Sequence, residues 1–363
     1  MDKQVWNESV QLPTALAEKL LPWYRANARD LPWRHTEDPY RIWVSEIMLQ
    51  QTRVAAVLGY YARFLEAFPT VEALAEADEE RLMKLWEGLG YYSRARNLQK
   101  AARVIRERGS FPQTVPELKK LPGIGDYTAG AIASAAFGVR AAAVDGNVLR
   151  VTARLTDSRA DVTVPAQKRA VTAALEKAMP TAPAEIRIFN QAVMELGATV
   201  CGPNGPPECA RCPLRTLCLG FARGTAPELP VKAAPKARRV EEHTVFLLFR
   251  DGQVALRKRP ESGLLAGLWE FPNRPGTLDE AAAASAAADW DLRVTDWLNR
   301  LTARHIFSHV EWHMTGYALR VEGTGPEELI WVDAAGLAQH SVPSAFARYY
   351  QEAAEHLQEA RGR

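Results

Sequence analysis

The stretch LPGIGDYTAGAI, residues 121–132, sets Gly123 and Gly125 two apart, just ahead of a run of small residues. Glycine reaches positive φ and lets another backbone come close. The start of a helix offers unpaired N–H groups and the positive end of a dipole, which suits an anion. The stretch therefore reads as a loop opening into a helix at which an anion docks. Which anion comes there has to be read from the residues around it.

At 363 residues the chain exceeds one ordinary core, and two domains are expected. No apolar run is long enough to span a membrane, and the N-terminus lacks a basic-then-apolar signal pattern. A cytoplasmic monomer with no membrane partner is the expectation. With a formal net charge of +2, a nucleic-acid partner would have to be met by a local surface rather than by a global field.

Residues 8–200 read as nearly all helix, with apolar residues at intervals of three and four, as in Leu16, Leu20 and Leu21, or Val104 and Ile105 within 94–107. Residues 219–240 carry three prolines, five Lys or Arg and one acid, the composition of a basic linker. Beyond it HTVFLLFR, GQVALRKR, WHMTGYALRV and ELIWVD are strand-like, with helices expected near 279–289 and 343–359. The organisation expected is a helical domain over 1–221, a linker over 222–240 and an α+β domain over 241–363.

All four cysteines, Cys201, Cys209, Cys212 and Cys218, fall in one short loop with gaps of seven, two and five residues. In a reducing compartment that clustering is a metal site. Four-cysteine zinc sites usually show two close pairs, and only one is present, so the uneven gaps favour a [4Fe–4S] cluster over zinc. In VSEIMLQQTR (44–53), Glu46 is either an exposed helix glutamate, the commoner fate, or a carboxyl in an apolar pocket with a raised pKa. In AAAVDGNVLRV (141–151), Asp145 reads as a helix N-cap, and an anion fixed there could also face a developing cation. GLGYYSRARNL (88–98) is either a turn before an amphipathic helix or an aromatic wedge flanked by phosphate-binding arginines. In HIFSHVEWH, His305, His309 and His313 are four apart, but their flanks read as strands and a loop rather than a metal-binding helix.

Together LPGIGDYTAGAIAS, VDGNVLRV, FNQAVMELGATVC and the cysteine loop resemble the helix-hairpin-helix DNA glycosylases that carry an iron–sulfur cluster. WVSEIMLQQTRV and WEGLGYYSRARNL narrow the resemblance to the MutY-type adenine glycosylases, over essentially the whole chain. The resemblance implies an all-α helix-hairpin-helix domain with a [4Fe–4S] loop held by the four cysteines, followed by an α+β Nudix-like domain. The anion becomes a DNA phosphate held by N–H groups around Gly123 and Gly125. The implied partner is duplex DNA with adenine opposite 8-oxoguanine, and the implied place is the nucleoid.

The same resemblance makes Glu46 the acid that protonates an extruded adenine. Asp145 stabilises the sugar cation, assisted by Tyr127 and Asn147, a division of labour like that of glycoside hydrolysis. Tyr127 stands where strand-cleaving relatives place a lysine, so base removal without lysine-based cleavage is implied. Gln51 and Tyr91 match residues inserted into the base stack, Leu89 belongs with the DNA-binding set, and Arg34 and Leu49 match positions near the adenine pocket. Phe307, Ser308 and His309 match a loop that reads 8-oxoguanine. In GTLDEAAAASAAADW alanines stand where a Nudix hydrolase needs metal-binding acids, so recognition without hydrolysis is expected. The rival readings are an endonuclease III-type bifunctional glycosylase, a non-catalytic DNA-binding protein with a structural cluster, and a Nudix hydrolase with a helical accessory domain. Two features depart from the family pattern. The first cysteine gap is seven residues where six is usual. Asp126 lies inside the hairpin, where Arg94, Arg96 or the basic linker would have to offset its charge.

Overall fold

The protein, seen in a computed structural model, is described over residues 11–234 and 237–361. Its contacts divide it into two compact units, Met1–Glu76 with Arg96–Ala234, and Ala77–Ala95 with Pro235–Arg363.

The first unit is helical. It contains α1 (Leu16–Asn27), α2 (Pro39–Leu49), α3 (Val54–Ala67) and α4 (Val71–Glu76). The chain then passes through α5 (Glu79–Trp86) of the second unit and along α6 (Ser93–Arg108). The first unit continues with α7 (Val115–Leu118), α8 (Asp126–Phe137), α9 (Gly146–Leu155), α10 (Pro165–Ala178), α11 (Pro183–Thr199) and α12 (Leu219–Ala222). Its core is built on the spacing seen in the sequence: Leu16, Leu20 and Leu21 of α1 meet Val148, Val151 and Leu155 of α9, and Phe189, Val193 and Leu196 of α11. The small residues of α8 have a steric purpose. A Cβ on Gly130 would lie 2.4 Å from the carbonyl oxygen of Ala142, so the segment leading to Asp145 rests directly on α8. That contact brings the start of α9 beside α8.

The hairpin ahead of α8 follows its sequence in part. Gly123 has φ +77°, and a Cβ there would meet Asn97 Cβ at 2.8 Å. Gly125 is extended instead, with φ −97°; it is the N-cap of α8 with no side-chain cap, and open space where a Cβ would stand. The first glycine makes the turn, and the second leaves the helix mouth bare.

The second unit holds a seven-stranded mixed sheet: β1 (Arg239–Arg250), β2 (Gln253–Lys258), β3 (Trp269–Glu270), β4 (Asn273–Pro275), β5 (Leu292–Ile306), β6 (Val310–Gly323) and β7 (Leu329–Val332). Its order is β3-β2-β1-β6-β5, with β4 on β1 and β7 on β2, and β1 runs parallel to β6 while the other pairs are antiparallel. Alternation along β1 feeds two layers. Val245 and Leu247 join Tyr349, Ala353 and Leu357 of α14 (Ala347–Arg361) on one face. Phe246 and Leu248 join Ala283, Ala286 and Ala287 of α13 (Glu280–Ala288) on the other.

Two features differ from the sequence expectation. Residues 222–231, read as linker, are fastened to the helical unit: Arg154 Nε donates to the Leu229 carbonyl at 2.9 Å, Val162 N to the Val231 carbonyl at 3.1 Å, and Arg223 pairs with Asp157 at 2.8 Å. Local composition reports turn-forming and charged residues, and these carbonyls are bound by arginine and backbone groups far away in the chain. In addition, residues 77–95 pack with the second unit, although the sequence places them within the helical domain.

Candidate active site

In the helical unit α2, the mouth of α8, the cap of α9 and α11 surround a cavity of about 270 Å³. Glu46, Tyr127, Asp145 and Asn147 line it together, as do Arg34 and Leu49. Residues spread over more than a hundred positions thus meet in one pocket.

Glu46 enters from α2, most of whose residues, including Trp43, Val44, Ile47 and Met48, are buried. Burial pushes its carboxyl up to about 7; the hydrogen bond from Tyr127 opposes this, the nearby Asp145 charge adds to it, and Arg34 opposes it. Tyr127 Oη donates to Glu46 Oε2 at 2.8 Å. Burial, with Glu46 and Asp145 beside it, raises the phenol well above its ordinary range, so Tyr127 keeps its proton and remains a donor.

Asp145 is the N-cap of α9: Oδ1 accepts from Val148 N at 2.8 Å, and Oδ2 accepts from Asn147 Nδ2 at 2.7 Å. The cap reading of this residue is realised, and the same carboxyl lines the cavity. Asn147 is itself held, since Arg150 Nη2 donates to its Oδ1 at 2.8 Å. Arg150 also reaches the carbonyls of Gly197 at 2.7 Å and Cys201 at 2.8 Å, joining this corner of the cavity to the cysteine loop.

One group on the wall has no signal in the sequence. Glu195, inside an amphipathic stretch of α11, is fully buried between Arg29 and Arg34. Burial alone would raise its carboxyl, but the two arginines hold it down to about 2. Gln191, also on the cavity, accepts from Tyr24 Oη at 2.6 Å.

The remaining candidates lie outside the cavity. Gln51 is exposed with φ +57°, and Tyr91 is 45% exposed with φ +48°. Two side chains are thus held outward on left-handed backbone, which non-glycine residues adopt only when their surroundings impose it. Leu89 is buried beneath its turn. Arg94 corrects the reading of a phosphate-binding flank: it is buried, donates to the carbonyls of Leu89 at 2.9 Å and Gly90 at 3.0 Å, and stacks over Trp86. It builds the turn that presents Tyr91. Asp126, the acid inside the hairpin, pairs with Lys119 at 2.5 Å, which lowers its carboxyl pKa.

Phe307, Ser308 and His309 form the tip between β5 and β6, closed by Phe307 N donating to the Val310 carbonyl at 2.9 Å. Phe307 packs edge-on to Trp312 at 5.0 Å, while Ser308 and His309 are exposed. Ser308 Oγ lies 2.7 Å from Tyr91 Oη, so the tip touches the loop that carries the exposed tyrosine. The four cysteines line one cavity with Arg154, whose Nη1 donates to Cys201 Sγ at 3.3 Å. Among the described residues, no three His, Cys, Asp or Glu side chains are drawn together as ligands of a single ion.

Comparison with known proteins agrees with this architecture. Residues 44–181 match the family described as HhH-GPD superfamily base excision DNA repair protein, and residues 244–352 match a NUDIX domain. The chain is 36% identical over 397 residues to the adenine DNA glycosylase of Homo sapiens, covering 92% of this chain and 72% of that one. It is 31% identical over 304 residues to that of Buchnera aphidicola subsp. Baizongia pistaciae, covering 83% of each. Among solved structures, a thermostable thymine-DNA glycosylase is 29% identical with a TM-score of 0.51, over 58% of this chain and 96% of that one. With paired carboxyls on one cavity and a Nudix-like fold downstream, sequence shared to this extent leads to one assignment: the chain belongs to the adenine DNA glycosylase family.

Proposed function

We propose that the protein hydrolyses the N-glycosidic bond of adenine in duplex DNA, preferring adenine opposite 8-oxoguanine, and does so as a monomer without lysine-based strand cleavage. The observation that carries this reading is the pair of carboxyls on one cavity in contrasting settings. Glu46 is protonated up to about pH 7 in its enclosed site. Asp145 accepts two hydrogen bonds at a helix N-terminus, where the dipole favours an anion.

In this mechanism the Glu46 carboxyl gives its proton to a ring nitrogen of the extruded base. The C1′–N bond breaks and its electron pair leaves with adenine. The sugar cation faces the Asp145 carboxylate, which Asn147 and Val148 N hold in place. Water adds to C1′ and returns its extra proton to Glu46. Tyr127 supplies a phenol where a lysine amine would otherwise trap the sugar.

The cysteine loop is proposed to hold a [4Fe–4S] cluster, and its donor set supports that reading. Four thiols line one cavity, and burial pushes Cys212 up to about 12, so its thiolate calls for a cation beside it, which a bound metal would supply. When bound there, the cluster would supply a structural crosslink; Arg150 and Arg154 of α9 hold the loop by their bonds to Cys201. Purified protein should contain ~4 iron atoms per chain and lose its colour on Cys212→Ser; stoichiometric zinc after anaerobic purification would overturn this assignment.

The decisive test of function incubates the protein with a duplex bearing adenine opposite 8-oxoguanine. Strand scission only after hot alkali is expected. Scission without alkali would favour the endonuclease III-type alternative, and no scission at all would favour a non-catalytic DNA-binding protein.

A further inference from the structure

Glu195 has no part in the steps above, yet its side chain is 0% exposed and binds two arginines at once. Oε2 lies 2.6 Å from Arg34 Nη2 and 2.7 Å from Arg29 Nη2. Oε1 accepts from Arg29 Nε at 2.8 Å and from the Arg29 backbone N–H at 3.0 Å. Arg34 is fixed at its other end too, with Nη1 donating to the Arg29 carbonyl at 2.9 Å and the guanidinium 5.5 Å from the Tyr24 ring centre. A buried ion triad is costly to desolvate and is weak evidence of stability for its own sake.

Arg34 and Glu46 share the cavity wall. A permanent cation that moves within ~4–6 Å of a carboxyl draws off its proton. Tyr127 of α8 and Asp145 at the start of α9 act on Glu46 directly, and Arg29, Arg53 and Glu195 complete the charged lining of the cavity. We propose that Glu195 is a positioning residue that clamps the Arg34 guanidinium to the cavity wall and so prevents it from pairing with Glu46 and discharging the acid. The inference rests on the reading of Glu46 as the acid. It gives Glu195 a purpose that packing alone would not require: a hydrophobic residue could fill the space but could not hold the arginine.

The test is the pH profile of single-turnover adenine release from duplex DNA by the full chain. Wild type is compared with Glu195→Gln, Glu195→Asp, Arg34→Met and the double variant Arg34→Met with Glu195→Gln. Glu195→Gln should move the basic limb down by about one pH unit, with ~tenfold loss at pH 8 and little change on the acidic side. Glu195→Asp keeps the charge and should give a smaller shift in the same direction, which preserves the test if Glu195→Gln fails to fold. Arg34→Met should move the limb up, and the double variant should restore it to or above its wild-type position. A uniform fall at every pH in Glu195→Gln, or a limb that stays lowered in the double variant, would overturn the inference. A wild type that releases adenine with no basic limb near neutrality would instead overturn the assignment of Glu46 as the acid.

Discussion

On the proposed mechanism, Glu46 trades stability for chemistry. Its carboxyl titrates near 4.5 when exposed and near 7 in the folded protein, so between those values the folded state binds more protons. Stability from this group is therefore present at low pH and is lost as pH rises through about 7. Glu46→Gln removes both the cost and the proton: the variant should melt higher than wild type at pH 8, while its single-turnover rate falls by ~10²–10⁴. A rate within a few-fold of wild type would remove Glu46 from the role of acid. Asp145→Asn separates cap from charge at the neighbouring site. Asparagine caps a helix as well as aspartate does, so melting should barely move, while the rate should fall by ~10²–10³ through loss of the anion facing the sugar. The cap role of Asp145 was legible in sequence because Val148 N lies three residues on. The enclosure of Glu46 was not, because it depends on Tyr127 and Asp145 arriving from other helices. Glu195 left no trace at all, since a glutamate in an amphipathic helix reads as a solvated one until Arg29 and Arg34 are seen around it.

At the scale of elements, the proposed function gives the glycine hairpin and the β5–β6 tip separable tasks. Gly123→Ala forces a side chain onto φ +77° and against Asn97, whereas Gly125→Ala enters open space at φ −97°. The first should lower the melting temperature clearly and the second little, yet both should weaken DNA binding, because a methyl group at either position crowds the helix mouth. At the tip, replacing Ser308 and His309 together by alanine should cost ~1–3 kcal/mol of discrimination. Capture of adenine opposite 8-oxoguanine should suffer while release opposite guanine is largely kept; equal losses on both duplexes would make the tip a general contact. Helix α6 was readable to within a residue at each end, because its apolar spacing is local. Of the long strand β5 only the end around His305 is legible in sequence: it lies at an edge of the sheet, its outward positions are polar, and two irregularities in its pairing near Val294 and Trp297 break the alternation. The parallel pairing of β1 with β6 likewise has no local signature, as its partners stand some seventy residues apart.

Over the whole molecule, the near balance of charge leaves DNA affinity to local surfaces, and the hairpin is one where the balance is kept internally. Lys119 and Asp126 neutralise each other beside the bare N–H groups of α8. A phosphate held there meets dipoles rather than a free cation, and its docking displaces few condensed counterions. Affinity gained through the hairpin should therefore survive rising ionic strength better than affinity gained through lysine or arginine. Asp126→Asn unmasks the lysine. The expected result is tighter binding in dilute salt, with a plot of log affinity against log salt steeper by about one. An unchanged slope would mean that Lys119 never meets the phosphate. With the steeper slope, the acid within the hairpin acts as an ionic-strength buffer, allowing this protein to grip its substrate through salt conditions that loosen purely electrostatic binders.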